Sequence, residues 1–161
     1  MKKKILRFLI VYVITFVLVE IDLITKTMFD GENIEVIKNF FYIESAHNYG
    51  AGLSILEGKT VLLATLSIIF LMLFVSYDIL YYRKTKLYNT AITLIFAGAI
   101  GNLIDRLKFA YVRDFLYINL PFMNYCFNLA DVFLTVGVVL FCIEILFKRE
   151  QKKDGKIESG K

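Results

Sequence analysis

Histidine and cysteine are scarce in this chain, and each scarcity excludes a kind of site. His47 is the single histidine, so the usual three or four nitrogen and sulfur ligands of a zinc site are missing. The two cysteines, Cys126 and Cys142, form no Cys-x-x-Cys pair, which excludes thiol redox chemistry of the quinone-reductase kind. The carboxylates are therefore the first candidates for chemistry.

Apolar residues, in contrast, are abundant and occur in long runs. Hydrophobic residues make up 58% of the 161 residues, above the roughly 45–50% of soluble domains. Runs at about 5–24, 60–82, 87–104 and 129–147 are long enough to cross a hydrocarbon core as helices. We predict an all-α membrane protein with one domain, residues 1–147, and a small external β or loop element between the first two helices.

The net charge of +4 comes from short basic clusters beside the apolar runs, at 2–7, 83–86 and 148–153. Because a basic groove interleaved with exposed aromatics is missing, we expect no nucleic-acid binding. Positive-inside bias places all three clusters, and hence both termini, in the cytoplasm. The connections 27–59 and 105–128 are then external, and the basic tail 148–161 is predicted to be disordered.

This topology brings polar side chains that are distant in sequence to one membrane surface. Ionisable side chains at membrane depth are costly, so they are normally paired or functional. The residues predicted to converge at the external surface are Asp22, Asn48, Asn102, Asp105, Asp114 and Asp131. This convergence is a more specific signal than any one of these residues.

Several of these groups also have a purely structural interpretation. Asn128 and Asp131 are three residues apart at a helix start, a spacing typical of helix capping. Arg106 follows Asp105 and is the expected partner of that carboxylate. Lys26 lies one helical turn after Asp22 and could neutralise it. For Asp22 and for Asp131, the structural and the functional interpretations both remain open at this stage.

Asp114 and Asp131 are the candidates for catalysis. Two carboxyls within a few ångströms of each other cannot both ionise cheaply and would share one proton. One carboxylate can then accept a proton from water while the neutral acid polarises a peptide carbonyl, as in aspartic proteases. This chemistry needs no metal and no cofactor. Arg113, next to Asp114, could lower the pKa of Asp114 or fix which acid is charged.

Five short motifs in this order resemble the lipoprotein signal peptidases, also called signal peptidase II. The resemblance covers about residues 5–147. The motifs are Asp22…Lys26, Asn48-Tyr49-Gly50-Ala51, Gly101-Asn102-Leu103-Ile104-Asp105-Arg106, Asp114-Phe115 and Phe127-Asn128-Leu129-Ala130-Asp131.

The resemblance implies the roles of these residues. Asp114 and Asp131 would be the catalytic aspartates. The substrate-binding or supporting residues would be Asp22, Lys26, Asn48, Gly50, Asn102, Asp105, Arg106 and Asn128. The implied activity is removal of the signal peptide from a prolipoprotein by cleavage before a cysteine that carries a diacylglyceryl group.

The resemblance also implies where the protein works and what it meets. We expect a monomer in the bacterial cytoplasmic membrane, in contact with lipid, with its site near the outer leaflet. Globomycin-type cyclic peptides would inhibit it. The sequence departs from the family pattern at Leu23, at Gly52-Leu53 and at Arg113, which bears on substrate preference and loop closure.

Two other functions are compatible with carboxylates in a four-span chain. An ion-coupled transporter or channel would place its acids along a path through the bilayer. A membrane scaffold would use its acids only as helix caps and ion pairs. The peptidase is favoured over both because the polar residues gather at one surface and the five motifs occur together.

Overall fold

The computed structural model describes residues 2–50, 56–80 and 85–158. In these ranges the chain forms four helices and four strands. The helices are α1 (Lys2–Met28), α2 (Thr60–Leu80), α3 (Lys86–Phe109) and α4 (Leu129–Glu158). The strands are β1 (Asn33–Ile37), β2 (Phe41–Asn48), β3 (Val112–Leu120) and β4 (Met123–Phe127).

Each of the four helices has an apolar stretch long enough to cross a membrane. Helix α3 is the most buried of them and packs against the other three. Glycines permit this close packing: a Cβ on Gly98 would collide with the backbone of Ala130 and Leu134, and one on Gly101 would meet Asp22. Close helix approach at small residues is typical of membrane bundles. It places the C-terminal half of α3 directly against α1 and α4.

The four strands form one antiparallel sheet in the order β1-β2-β3-β4. Strands β2 and β3 join the two interhelical connections, with Phe41 opposite Ile118 and Ala46 opposite Asp114. The prediction of an all-α protein is therefore wrong in part: the protein is mainly helical, and both connections, not only the first, contribute strands. The many β-branched and aromatic residues between Val112 and Leu120 favour this extended structure.

Two helix boundaries differ from those predicted. Helix α3 continues past residue 104 to Phe109 and ends at Ala110, whose left-handed backbone (φ 63°) directs its N–H to the carbonyl of Arg106. Asp105 and Arg106 are thus helical. Helix α4 is continuous to Glu158, and lysine, glutamate and glutamine, which are frequent in its last part, have high helix propensity.

A buried ion pair joins three helices at the end of the bundle away from the sheet. Arg7 donates two hydrogen bonds to Asp78, of 2.5 and 2.7 Å, and its Nε donates to Asn89 Oδ1 at 2.9 Å. The side chains of Arg7 and Asp78 are 6% and 0% exposed. Asp78, which lies near the basic turn at 83–86 in sequence, thus binds α1. Residues 83 and 84 lie outside the described ranges.

Candidate active site

Asp114 and Asp131 line one cavity of about 300 Å³ between the sheet and the helices. Asp114 lies on β3 and is buried, whereas Asp131 lies in the first turn of α4 and is half-buried. The fold therefore brings both candidate catalytic residues to the same cavity, as the sequence predicts. Asn102 and Arg106 from α3, and Asn48 and Gly50 from the end of β2, complete the polar part of the wall.

Asn128 connects the two aspartates. Its Nδ2 donates to Asp114 Oδ1 at 2.5 Å, and its Oδ1 accepts the backbone N–H of Asp131 at 3.0 Å. The Asn128 backbone N–H in turn donates to Asp131 Oδ2 at 3.2 Å. This reciprocal pair is a capping arrangement at the start of α4. The capping interpretation does not exclude the catalytic one, because Asp131 caps the helix through Oδ2 and also lines the cavity.

The other carboxylate oxygen of Asp131 is bound by Asn102. Asn102 Nδ2 donates to Asp131 Oδ1 at 2.7 Å, while Asn102 Oδ1 accepts from Asn128 Nδ2 at 3.1 Å and from Lys26 Nζ at 3.0 Å. Because two donors hold its carbonyl oxygen, the amide of Asn102 can present only its N–H₂ group to Asp131.

Asp114 is held from the other side by the sheet. Asn48 Nδ2 donates to Asp114 Oδ2 at 3.0 Å. Burial, and next the neighbouring charge of Asp131, raise the pKa of Asp114 to about 7, while the amides of Asn48 and Asn128 act in the opposite direction. An acid with a pKa of about 7 is about half protonated at neutral pH and more so below it, which allows an aspartate pair to hold one proton between them.

Lys26 and Asp22 lie behind Asn102, fully buried. Lys26 Nζ is 2.8 Å from Asp22 Oδ2, so the predicted pairing over one helical turn is confirmed, although in a buried rather than an interfacial setting. Asp22 Oδ1 also accepts the backbone N–H of Ala130 at 2.8 Å. The first motif is therefore tied to the residue next to Asp131.

Asp105 does not pair with Arg106, and that expectation is wrong. The Asp105 carboxylate instead binds Arg113, with Nη2 to Oδ1 at 2.8 Å, and lies 3.5 Å from Lys26. Arg106 donates from Nη2 to the carbonyl of Gly50 at 3.1 Å. Successive residues of a helix point in different directions, about 100° apart, so neighbours in sequence serve different partners.

Arg113 faces Asp105 rather than Asp114. Side chains of adjacent strand residues point to opposite faces of a sheet, which separates residue 113 from residue 114. The pKa of Asp114 is raised rather than lowered, and Arg113 is not among the groups that change it most. That Arg113 fixes which acid is charged stays a prediction. Leu23 lies within α1, and Gly52-Leu53 lie outside the described residues.

Sequence reasoning missed much of the aromatic and polar wall of the cavity. The cavity is also lined by His47, Tyr49, Glu57, Tyr117, Asn124, Tyr125 and Cys126. Burial raises the pKa of Cys126 to about 12, so its thiol stays protonated at neutral pH and is a weak nucleophile. Apart from Tyr49, which belongs to the second motif, no motif marks these residues. The pairing of β3 with β2 and β4 brings His47, Asn124, Tyr125 and Cys126 to the site.

A more apolar cavity of about 430 Å³ reaches the same site from the helices. Its walls come from α2, α3 and α4 and include Leu66, Phe70 and Leu134, and at one end it meets Asn102, Arg106 and Asp131. The site therefore opens toward the region where an apolar segment in the bilayer could approach the carboxylates.

Known proteins share this sequence and fold. The lipoprotein signal peptidase of Clostridium acetobutylicum is 37% identical over 128 residues, which are 78% of this chain and 82% of that protein. That of Clostridium novyi is 36% identical over 123 residues, or 75% of this chain and 83% of the other.

Two solved structures of bacterial membrane enzymes, determined by the in meso method, are also similar. One, at 2.3 Å resolution, has a TM-score of 0.80 and 35% identity, covering 88% of this chain and 90% of the other. The second, at 1.9 Å, has a TM-score of 0.73 and 36% identity, covering 84% and 92%. Residues 14–147 match the family model described as signal peptidase (SPase) II. The chain therefore belongs to the signal peptidase II family, whose members are aspartic-type peptidases.

Proposed function

We propose that this protein cleaves diacylglyceryl-modified prolipoproteins immediately before the lipidated cysteine, with Asp114 and Asp131 as its catalytic residues. The observation that carries the proposal is the joint placement of the two carboxylates at one cavity, connected through the amide of Asn128. Asp114 lies on a strand and Asp131 on a helix, so only the tertiary fold brings the two carboxylates together.

In the proposed mechanism the aspartate pair holds one proton and uses it twice. The charged carboxylate takes a proton from water as the water oxygen attacks the scissile carbonyl carbon, and the neutral acid donates its proton to the carbonyl oxygen. The tetrahedral intermediate then collapses and the C–N bond breaks: the leaving amine takes the proton that the first carboxylate received from water, and the other carboxylate takes a hydroxyl proton from the intermediate, so the pair again holds one proton. The raised pKa of Asp114 supports this scheme, because the pair keeps the required proton up to about pH 7.

The supporting residues have different proposed tasks. Asn48, Asn102 and Asn128 hold the carboxylates in position through amide N–H groups. Asp22, Lys26 and Asp105 form the buried ionic layer behind Asn102. Arg106 and Gly50 fix the end of β2 at the cavity wall, through a hydrogen bond from the guanidinium to the Gly50 carbonyl.

The two cavities match the two parts of such a substrate. The apolar cavity between α2, α3 and α4 suits the hydrophobic core of a signal peptide, and the polar cavity suits the peptide segment around the scissile bond. We infer that globomycin-type cyclic peptides compete for the polar cavity.

The proposed location is the bacterial cytoplasmic membrane, with residues 1–147 as one transmembrane domain acting as a monomer. The four apolar helices support a multi-pass membrane protein. Both termini would be cytoplasmic, because the basic clusters at 2–7 and 148–153 lie at the end of the helices away from the sheet. The aspartate pair, at the end where the sheet lies, would then be near the outer leaflet.

Single replacement of each aspartate tests this proposal. We expect Asp114→Asn and Asp131→Asn each to lower kcat for a synthetic diacylglyceryl-cysteine peptide on the order of 10³-fold or more, since each removes one half of the acid–base pair. Asp30→Asn, an exposed acid of the β1 connection, is the matched control and should cleave normally. Normal cleavage by either active-site variant would overturn the assignment, and globomycin should abolish the wild-type signal.

A further inference from the structure

Arg113 lies outside the cavity but is held by several contacts with the helices around the site. Its side chain is buried at 8% exposure and does not line the cavity that holds the aspartates. The guanidinium binds Asp105 through Nη2 at 2.8 Å and through Nε at 3.3 Å, and donates from Nη1 to Thr27 Oγ1 at 3.1 Å. It also lies 4.5 Å from the ring centre of Phe109. Arg113 thereby fastens β3 to both α3 and α1.

The backbone of Arg113 is fixed as firmly as its side chain. Its N–H donates to Asp105 Oδ2 at 3.0 Å, and its carbonyl accepts from Asn128 Nδ2 at 3.4 Å. The same Nδ2 group of Asn128 binds Asp114, the next residue of the strand. Any shift of β3 at residue 113 would therefore displace Asp114 and its amide donor together.

Charge balance gives Arg113 a second effect on the site. Asp22 and Asp105 are both fully buried, and Lys26 lies within ion-pair distance of each. With Arg113 the buried set holds two acids and two cations; without it, Lys26 would be the sole cation shared by two carboxylates. An uncompensated buried charge attracts the nearest counter-charge. Lys26 would then be drawn toward Asp105 and away from Asn102 Oδ1, whose hydrogen bond fixes the amide that binds Asp131.

We propose that Arg113 is a positioning residue for the cleavage reaction, acting on Asp114 through strand β3 and on Asp131 through Asp105, Lys26 and Asn102. This inference rests on the proposed function, since it takes the two aspartates as the reacting groups. Arg113 itself touches neither the cavity nor the substrate. Its loss should therefore affect the chemical step more than substrate binding.

The chain contains a natural control for this inference. Arg7 and Asp78 form another buried arginine–aspartate pair that joins helices, at the opposite end of α3. Arg7→Gln and Arg113→Gln thus remove the same kind of group from the same kind of pair, but only the second pair is connected to the aspartates.

The experiment measures kcat, KM and Tm for Arg113→Gln, Arg113→Lys and Arg7→Gln, with the synthetic diacylglyceryl-cysteine peptide as substrate. We expect Arg113→Gln to lower kcat on the order of 10- to 100-fold with KM within about twofold, because small displacements of catalytic groups have effects of this size. Arg113→Lys keeps the charge and should recover part of the loss. Arg7→Gln should lower Tm at least as much and leave kcat within about twofold of the wild type.

Two results would overturn the inference: a kcat for Arg113→Gln within about twofold of the wild type, or equal losses of kcat in the two Arg→Gln variants at equal losses of Tm. If Arg113→Gln does not fold, Arg113→Lys decides, and an unchanged kcat for that variant rejects the role. Asp114→Asn, measured in parallel, separates the two proposals. If it is inactive while Arg113→Gln is normal, only the role of Arg113 fails, whereas an active Asp114→Asn rejects the proposed function.

Discussion

The two ends of the helix bundle each contain a buried arginine–aspartate pair, and the surroundings of these pairs differ. At one end Arg7 and Asp78 bind each other through two hydrogen bonds, with Asn89 completing the group. At the other end the pair of Asp105 and Arg113 continues through Lys26 and the asparagines to two aspartates at a cavity. Arg7 and Asp78 do not line the cavity, whereas the second arrangement ends in two carboxylates at the cavity, which amide donors hold without neutralising them.

This difference separates groups that stabilise the fold from groups that can react. Between the two ends, α3 presents a buried apolar segment that includes Ile92, Ile95 and Phe96. Acids therefore do not line a continuous path along α3, which counts against the transporter hypothesis. A membrane scaffold does not need an acid with a raised pKa at a cavity, whereas the proposed peptidase reaction uses the raised pKa of Asp114.

The largest expected effect concerns the ion pair of Arg7 and Asp78. Asp78→Ala removes the carboxylate from a buried arginine and should lower the free energy of unfolding by about 3–5 kcal/mol. Because Asp78 is remote from the aspartate pair, cleavage per folded molecule should stay within about twofold of the wild type. Thermal unfolding in detergent and kcat at a temperature well below Tm measure the two quantities.

Glu32→Ala, at an exposed acid before β1, controls for loss of a carboxylate at the surface and should be neutral in both measurements. A large loss of kcat in Asp78→Ala without unfolding would show that the two ends are coupled, and the contrast between them would then be wrong.

A second prediction concerns the end of the bundle that holds Asp114 and Asp131, where we expect one substitution to lower both stability and activity. In Gly98→Ala the new methyl group would meet the Ala130 carbonyl and the backbone N–H of Leu134, which cannot move aside as a side chain could. Helix α4 must shift, at a cost of about 1–3 kcal/mol of stability. Since Ala130 precedes Asp131, we expect kcat to fall together with Tm, unlike the outcome for Asp78→Ala.

Thr90→Ala is the control for this variant, because residue 90 is exposed on the same helix. It should leave both quantities unchanged. If Gly98→Ala were as active and as stable as the wild type, α3 and α4 would have to separate easily, and their close packing could not be what positions Asp131.

The helices and the convergence of the acids could be predicted because they depend on apolar runs and basic clusters, which are visible in the sequence. An apolar run of about 20 residues identifies a span, and basic clusters orient it. Together they place Asp114 and Asp131 at one surface before any contact is known. In the structure both residues line one cavity, and their position at a membrane surface stays a prediction.

The ion pairs could not be predicted, since they depend on chain reversals and helix packing. Arg113 reaches Asp105 only because the left-handed residue Ala110 turns the chain back after α3. Arg7 reaches Asp78 across the bundle, and the two residues are 71 positions apart in sequence. Local spacing, which suggested Arg106 for Asp105, considers only sequence neighbours and so missed both partners.

The smallest expected effect is the pH dependence of kcat/KM, which follows from the proton held by Asp114 and Asp131. The proposed reaction needs one proton on the aspartate pair, and the pKa of Asp114 is raised to about 7. The proton is therefore present below that pH and lost above it, so kcat/KM should fall about tenfold per pH unit on the alkaline side. An unfolding artefact can be recognised, since the raised pKa of Asp114 makes stability fall as the pH rises from 3.8 to about 7 and adds no further loss above that pH, where kcat/KM continues to fall.

Asn48→Ala sharpens this prediction. The amide of Asn48 donates to Asp114 Oδ2 and so favours the charged form. Its removal should raise the pKa of Asp114 further and move the alkaline limb of kcat/KM to higher pH. Asn119→Ala, at an amide of β3 that donates to the carbonyl of Asn39, should leave the limb in place. A limb that moves to lower pH in Asn48→Ala, or that is flat to pH 9 in the wild type, would mean that the group losing its proton is not the acid buried beside Asn48.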